Sequence, residues 1–394
     1  MSESIDCVVA GHICLDVTPE FKTGAASVGE IFRPGKLIEM GPATVSTGGP
    51  VSNTGFPLRR LGNAVQLMGK CGTDMFGRAL IDAIRAEAPG AEAGMQAVDG
   101  EQTSYTVVVN PPGIDRIFLH CPGANDTFCA ADIDLDSVAR ARLMHFGYPP
   151  LMAATYANGG AELVKIFESA KATGVTTSLD MAYPDPAGAA ASADWNSILS
   201  RTLPHVDVFT PSIEELLLML DRAEFDRRIA TAGQGEMLAV LDADLIASLG
   251  QRCIKLGAAV VMIKCGYLGI YVQTASPERL ASAGRARPAD CAAWAGRKLF
   301  QPSYLVESIV SATGAGDCAI AAFLTGLLRG ESLDNALRAA VAVGAQNLSA
   351  ADSVTGVRSW QETLEQIASR PPLRELEIPA GPWKLDPRAQ QYVG

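Results

Sequence analysis

Charge is scarce in this sequence. Asp, Glu, Lys and Arg make up 19% of its 394 residues, and aromatic side chains only 6%. The charge present leans acidic, with 43 Asp and Glu against 32 Lys and Arg and a formal net charge of −11. Such a surface repels phosphate backbones, which argues against nucleic acid as a partner and leaves room only for a local pocket that holds a small anion. No window of about 18 apolar residues is free of charge, so no membrane span is expected. The chain opens MSESIDCVVAGHICLD, with no basic stretch ahead of its apolar run and Asp6 and Asp16 on either side. It reads as a first strand, not a signal peptide. The nine cysteines are scattered and form no CxxC pair, the pattern of free thiols in a reducing cytoplasm. Four histidines, with no HExxH and no His/Cys cluster along the chain, argue against a zinc site. Neither GxGxxG after the first strand nor a Walker GxxxxGK[ST] occurs, which leaves a phosphatase or an NAD enzyme with little support.

What is abundant is apolar surface, at 48% of residues, enough for one large α/β domain and incompatible with global disorder. IDCVVAG (5–11) reads as a buried strand. Residues 21–47, rich in Gly, Pro and β-branched side chains, suggest short strands and turns. A helix is expected after Asp74, with Phe76, Leu80 and Ile84 on one face. TSYTVVV (103–109) and RIFLH (116–120), joined by the turn NPPGID, read as a hairpin outside the main sheet. From residue 141 to 274, strands alternate with helices, which predicts a mainly parallel central sheet with helices on both faces. The ligand crevice of such a sheet lies at the carboxyl ends of its strands. Residues 276–300 look like a basic, solvated insertion, and residues 371–394 like a surface tail on a single domain spanning 1–370.

The run Ser311-Ala-Thr-Gly-Ala-Gly-Asp317 ends an extended stretch and opens a strongly apolar helix. Gly314 and Gly316 remove side chains, so backbone N–H groups and a helix N-terminus can converge on an anion. A carboxylate beside such a hole, Asp317, suits deprotonation of a hydroxyl that attacks a phosphoryl group. An ordinary tight turn before a helix fits the same residues. The second run, Thr47-Gly-Gly-Pro-Val-Ser-Asn53, likewise fits either close backbone approach to a polyhydroxylated ligand or a capped loop.

Taken together, in this order and at this separation, the two runs resemble the ribokinase-like (PfkB) carbohydrate kinase family, with its N-terminal glycine pair and C-terminal DTxGAGD signature. Further segments are similar: Asp16 after the first strand, Gly72-Thr-Asp74-Met-Phe-Gly77 (GxDxxG), Pro122-Gly-Ala-Asn125, Pro211-Ser-Ile-Glu-Glu215 (PNxxE) and Lys264-Cys-Gly266-Tyr-Leu-Gly269. The resemblance implies a ribokinase-like fold with a small β-sheet lid from segments near 12–48 and 100–125. It also implies an ATP-dependent phosphotransferase acting on a hydroxymethyl group of a sugar or sugar-like acceptor. Asp317 would be the catalytic base, with Gly314, Ala315 and Gly316 as the anion hole. Asp16, Gly48, Gly49, Asn53 and Asn125 would bind the acceptor, Lys264, Gly266 and Gly269 the nucleotide, and Glu215 would position Mg²⁺ through water. Asp180, at a strand end, could serve Mg²⁺ or substrate, or simply cap. Lid contact with a second copy would make a homodimer.

Four positions depart from the family pattern. Ser311 and Ala312 replace the leading Asp and Thr of DTxGAGD, which breaks the site that holds a monovalent cation in many relatives. Ser212 stands where PNxxE has Asn, and Val341 where some relatives carry a nucleotide-side Asn. The alternatives are a nucleoside kinase, with Phe118, Phe128 or Tyr105 stacking on a base, and a sugar- or nucleotide-binding sensor without transfer.

Overall fold

The opening apolar run forms β1 (Ile5–Gly11), and its side chains sort by period two: Cys7 and Val9 join one buried core, Val8 and Ala10 the other. Each core is completed by helices, so the sheet is covered on both faces. In the computed structural model, which describes residues 4–22, 24, 28–112, 116–233, 236–350, 352–376 and 383–394, β1 lies inside an eleven-stranded sheet. On one side of β1 run β4 (Val65–Gly72) and β5 (Met95–Val98). On the other run β8 (Ala141–Gly147), β9 (Thr176–Asp180), β10 (Val208–Phe209) and β11 (Val260–Lys264). All these neighbours are parallel. β12 (Gly269–Thr274) and β13 (Lys298–Pro302) then add in antiparallel fashion. The chain leaves β1 toward β4 and later returns beside it as β8, so the topological switch falls at β1 and β8.

A separate four-stranded sheet has the order β3 (Met40–Gly48), β2 (Cys14–Phe21), β6 (Tyr105–Val109), β7 (Ile117–Cys121). It is built from the two segments expected to stand apart from the main sheet. Its hairpin β6–β7 pairs Val107 with Leu119; residues 113–115 of the NPPGID turn lie outside the described residues. Val45, Phe118 and Leu119 on this sheet are exposed.

The solvated insertion expected over 276–300 is instead packed. Helices Pro277–Ala281 and Cys291–Trp294 bury Leu280 and Trp294, and the segment runs into β13. Two of its basic side chains are used internally. Arg279 donates to Asp207 Oδ1 (2.8 Å), Gly257 O (2.8 Å) and Val206 O (2.9 Å), and Arg285 to Ala141 O (2.8 Å). Asp207 is fully buried and also takes Lys171, so the arginine helps to neutralise a carboxylate at the end of the sheet away from the crevice.

The expected surface tail also contributes to the fold. β14 (Lys384–Asp386) and β15 (Gln391–Val393) extend the main sheet beyond β13, and the Trp383 ring stacks on Tyr271 (5.3 Å between centroids) and Phe300 (5.2 Å). Apolar periodicity cannot announce two three-residue strands that bury almost no apolar side chain of their own and are held by pairing with a distant strand. Among the described residues no helix is long and apolar enough to cross a membrane.

Candidate active site

The carboxyl ends of β1, β8, β9 and β11 deliver His12, Tyr148, Asp180 and Lys264 to one crevice, and the helix Ala315–Leu328 points its N-terminus into it. That helix is buried from Asp317 to Leu328, apolar on all sides except for Asp317 and Thr325. Its start is set by Gly314, whose φ of +72° and near contact with Ser353, 2.2 Å from an ideal Cβ, exclude any side chain.

Asp317 is 4% exposed. Oδ1 accepts from the Thr54 hydroxyl at 3.2 Å and Oδ2 from the Tyr148 hydroxyl at 2.8 Å. Burial raises the Asp317 carboxyl above the ordinary carboxylate range, against the opposing pull of Lys264 and of the two hydroxyls. The result is a carboxylate aimed by two donors and more basic than an exposed one. Lys264 Nζ lies 2.7 Å from Asp180 Oδ1, so the lysine is held in an ion pair and does not stand alone to meet a phosphate. Burial pulls its pKa down, but Asp180, Glu215 and Asp317 outweigh that and keep the ammonium charged. Its aliphatic stem packs against Gly316, 3.3 Å from where a Cβ would stand.

Of the three backbone N–H groups expected to form the anion hole, that of Ala315 closes a turn onto Ala312 O at 3.3 Å. Gly314 and Gly316 are therefore the better-placed pair. Such donors at a helix N-terminus, with Lys264 adjacent, suit an anionic group that gains charge.

At the other end of the crevice, β2 and β3 place Cys14 opposite Gly48, and a Cβ at Gly48 would sit 2.4 Å from Asp16 Oδ2. The glycine makes room for the carboxylate. Burial raises the pKa of Asp16, while hydrogen bonds from Cys14 and Thr106 act the other way. Gly49 has φ +85°, and a Cβ there would meet His12 Nδ1 at 2.6 Å. Asn53 is buried, and its Oδ1 accepts from the Ser353 hydroxyl at 2.6 Å. Asn125 is not brought to the crevice. Fully buried, it accepts from Ile13 N (3.2 Å) and donates to Ile13 O (2.9 Å), so both ends of its amide brace the β1–β2 connection.

Lys264, Gly266, Gly269, Ala315, Gly316 and Val341 share the wall of a 340 Å³ cavity on the other side of the helix N-terminus. Near it, Glu215 and Ser212 form a reciprocal cap at the start of the helix Ile213–Leu220, with Ser212 N donating to Glu215 Oε2 at 2.6 Å. Ser212 thus does the capping job at the family's Asn position. Asp180 is fully buried, and its Oδ2 has no hydrogen-bond partner among the described residues. An unpartnered carboxylate oxygen in the same electrostatic field as Glu215 and Asp317 fits a hard divalent cation such as Mg²⁺. At Ser311, the hydroxyl accepts from Arg116 Nη1 (3.1 Å) and Thr313 N (3.1 Å).

Thr54 and Tyr148 were not singled out from the sequence. Tyr148 was accessible by the strand-end argument applied to Asp180, since it directly follows β8; its φ of +64° also turns the chain sharply there. Thr54 had no signal beyond its place after the glycine-pair motif. Of the aromatics considered for base stacking, Phe128 is fully buried and Tyr105 packs on Phe76 (5.2 Å), which leaves Phe118 exposed on β7.

A family model described as pfkB family carbohydrate kinase matches residues 7–359. An uncharacterized sugar kinase of Archaeoglobus fulgidus is 24% identical over 278 residues, 70% of this chain and 88% of that protein. Among solved structures, Arabidopsis thaliana ribokinase complexed with ribose and ATP is similar with TM-score 0.67 at 18% identity, covering 92% of this chain and 98% of its own. Fructokinase from Xylella fastidiosa with bound ATP gives TM-score 0.63 at 18% identity, with coverages of 92% and 98%.

Proposed function

The chain belongs to the pfkB family of carbohydrate kinases, which makes it an ATP-dependent sugar phosphotransferase, and from that premise we propose that it phosphorylates a hydroxymethyl group of a sugar with Asp317 as the base. The observation that carries this reading is the setting of Asp317: a buried carboxylate at a helix N-terminus, aimed by the Thr54 and Tyr148 hydroxyls. The acceptor hydroxyl gives its proton to Asp317 as its oxygen attacks the γ-phosphorus, and ADP leaves with the electrons of the broken P–O bond. Charge on the transferring group is met by the N–H groups of Gly314 and Gly316, with Ala315 joining once its turn bond to Ala312 opens, and by the Lys264 ammonium.

Asp16, Gly48, Gly49 and Asn53 hold the acceptor, and Lys264, Gly266 and Gly269 line the nucleotide site. Asp180 and Glu215 would hold Mg²⁺, which supplies charge neutralisation on the β- and γ-phosphates when bound. The four-stranded sheet acts as a lid that keeps water from the γ-phosphate. Its exposed Val45, Phe118 and Leu119 favour cover by the same sheet of a second copy, a homodimer readable by sedimentation. Ser311 offers a neutral hydroxyl, already engaged by Arg116, where a monovalent cation needs a carboxylate, so no K⁺ requirement is expected.

The test is ADP release from Mg-ATP across hexoses, pentoses, polyols and nucleosides, with Asp317→Asn as control. A sugar hit abolished by the substitution supports the reading. Turnover of nucleosides alone reassigns the acceptor, and silence across the panel with intact ATP binding favours a sensor.

A further inference from the structure

Three side chains that no step above uses converge at the mouth of the acceptor site. His12 follows β1, Cys14 opens β2, and His120 lies on β7, 108 residues from His12 in sequence. One donor atom from each lies within 4.8 Å of the others. His12 and Cys14 are buried, while His120 is on the exposed side, which gives an ion a route in.

The geometry points to a transition-metal site of the Zn²⁺ class formed by His12, Cys14 and His120. The His12 and His120 Nε2 atoms stand 3.3 Å apart. Two imidazole nitrogens at about 2.0–2.1 Å from a tetrahedral Zn²⁺ are separated by about 3.3–3.4 Å. The His120 ring is already oriented, since its Nδ1 is 3.0 Å from the Thr106 hydroxyl, the outer hydrogen bond that fixes a ligating histidine with Nε2 toward the metal. Cys14 Sγ donates to Asp16 Oδ1 at 3.2 Å, so the thiol proton that must leave when sulfur binds a metal has an acceptor in place. The ion replaces the imidazole–imidazole contact with two N–metal bonds and one S–metal bond. A fourth position is left for water or a hydroxyl, the open arrangement of three-ligand zinc sites. Soft sulfur and imidazole donors select this class over Mg²⁺, which takes oxygen. An ion there ties β7 of the four-stranded sheet to the carboxyl end of β1. The proposal stands on these three ligands and does not depend on which sugar is phosphorylated.

The experiment is a Co²⁺ titration of the full-length protein in excess Mg²⁺ without nucleotide, followed by absorption and then by Zn²⁺ displacement. One Co²⁺ per chain is expected, with intense tetrahedral d–d bands and a thiolate-to-cobalt charge-transfer band, all lost on adding Zn²⁺. Cys14→Ser is expected to remove the charge-transfer band, and His120→Ala to weaken Co²⁺ binding about tenfold or more. A parent spectrum without that band overturns the site, as does a band that persists in Cys14→Ser, which would assign the ion to another thiol. Should Cys14→Ser fail to fold, the exposed His120 decides: unchanged Co²⁺ affinity in His120→Ala overturns the proposal.

Discussion

Replacing Asp317 by Asn separates the two consequences of burying a carboxylate. General-base catalysis contributes about 10²–10⁴ in rate, or about 3–5 kcal/mol of transition-state free energy at 1.36 kcal/mol per decade. The amide keeps the shape of the side chain and can still accept from Tyr148, so kcat is expected to fall by that factor while ATP binding stays close to the parent's. Stability is expected to move the other way. Burial raises the folded-state pKa of Asp317 above its unfolded value, so the folded protein takes up a proton more readily than the unfolded chain. The contribution from this group is then fully present below the unfolded pKa and lost as pH rises through the raised folded value. Near neutral pH the ionised carboxylate is a cost that Asn removes, while Lys264 retains Asp180 as its partner at 2.7 Å. Asp317→Asn is therefore expected to match or exceed the parent's Tm near neutrality, with the gap closing in acid. Turnover of the parent is lost as pH falls through the same raised pKa, because the base must be ionised. The assays are ADP release against pH and thermal unfolding against pH for both proteins. Turnover of the variant within about tenfold of the parent would refute the base assignment. A variant Tm well below the parent's near neutral pH would refute the account of burial.

Tyr148→Phe removes the 2.8 Å hydrogen bond to Asp317 Oδ2, one made to a charged group and worth about 1.5–3 kcal/mol. The acid limb of the pH–rate profile should shift to higher pH, because a donor that lowers the carboxyl's pKa is gone; an unmoved limb argues against the pairing. Gly314→Ala forces a side chain into a φ of +72° and against Ser353, with about 1–2 kcal/mol for the backbone alone. It should lower Tm and weaken ATP binding together, as read by unfolding and by nucleotide titration. Trp383→Ala removes a ring stacked on Tyr271 and Phe300 and is expected to cost about 3–5 kcal/mol in denaturant unfolding, where a surface tail would cost almost nothing.

The regular part of the fold was readable because its signals are local. IDCVVAG alternates between two cores, Asp74 caps its helix through Gly77 N at 2.7 Å, and the strand–helix alternation from residue 141 carries the parallel sheet. The candidate site was partly readable for the same reason: Gly48 and Gly314 are glycines because a carboxylate or the neighbouring chain comes too close for a Cβ, and their motifs mark them. Where the reading failed, the partner that decides a side chain's role lies far along the chain. The arginines of 276–300 looked solvated, yet Arg279 reaches a buried Asp207 whose position no nearby residue reveals. Asn125 looked like a ligand-binding amide, and its two hydrogen bonds to Ile13 exist only because β1 and the 122–125 turn meet in space.

By itself, then, the sequence determined the layered α/β scaffold, the glycine-led helix that opens on the crevice, and Asp317 at its first turn, since each depends on spacing within a dozen residues. Tertiary structure alone decided which groups face that carboxylate. Thr54 and Tyr148 arrive from 263 and 169 residues away. It likewise brought His120 to His12 and Cys14 from 108 residues away. The physical reason is that a pKa, a hydrogen-bond geometry or a ligand sphere is set by distances of a few ångströms, and those are fixed only when separate strands end at the same edge of one sheet.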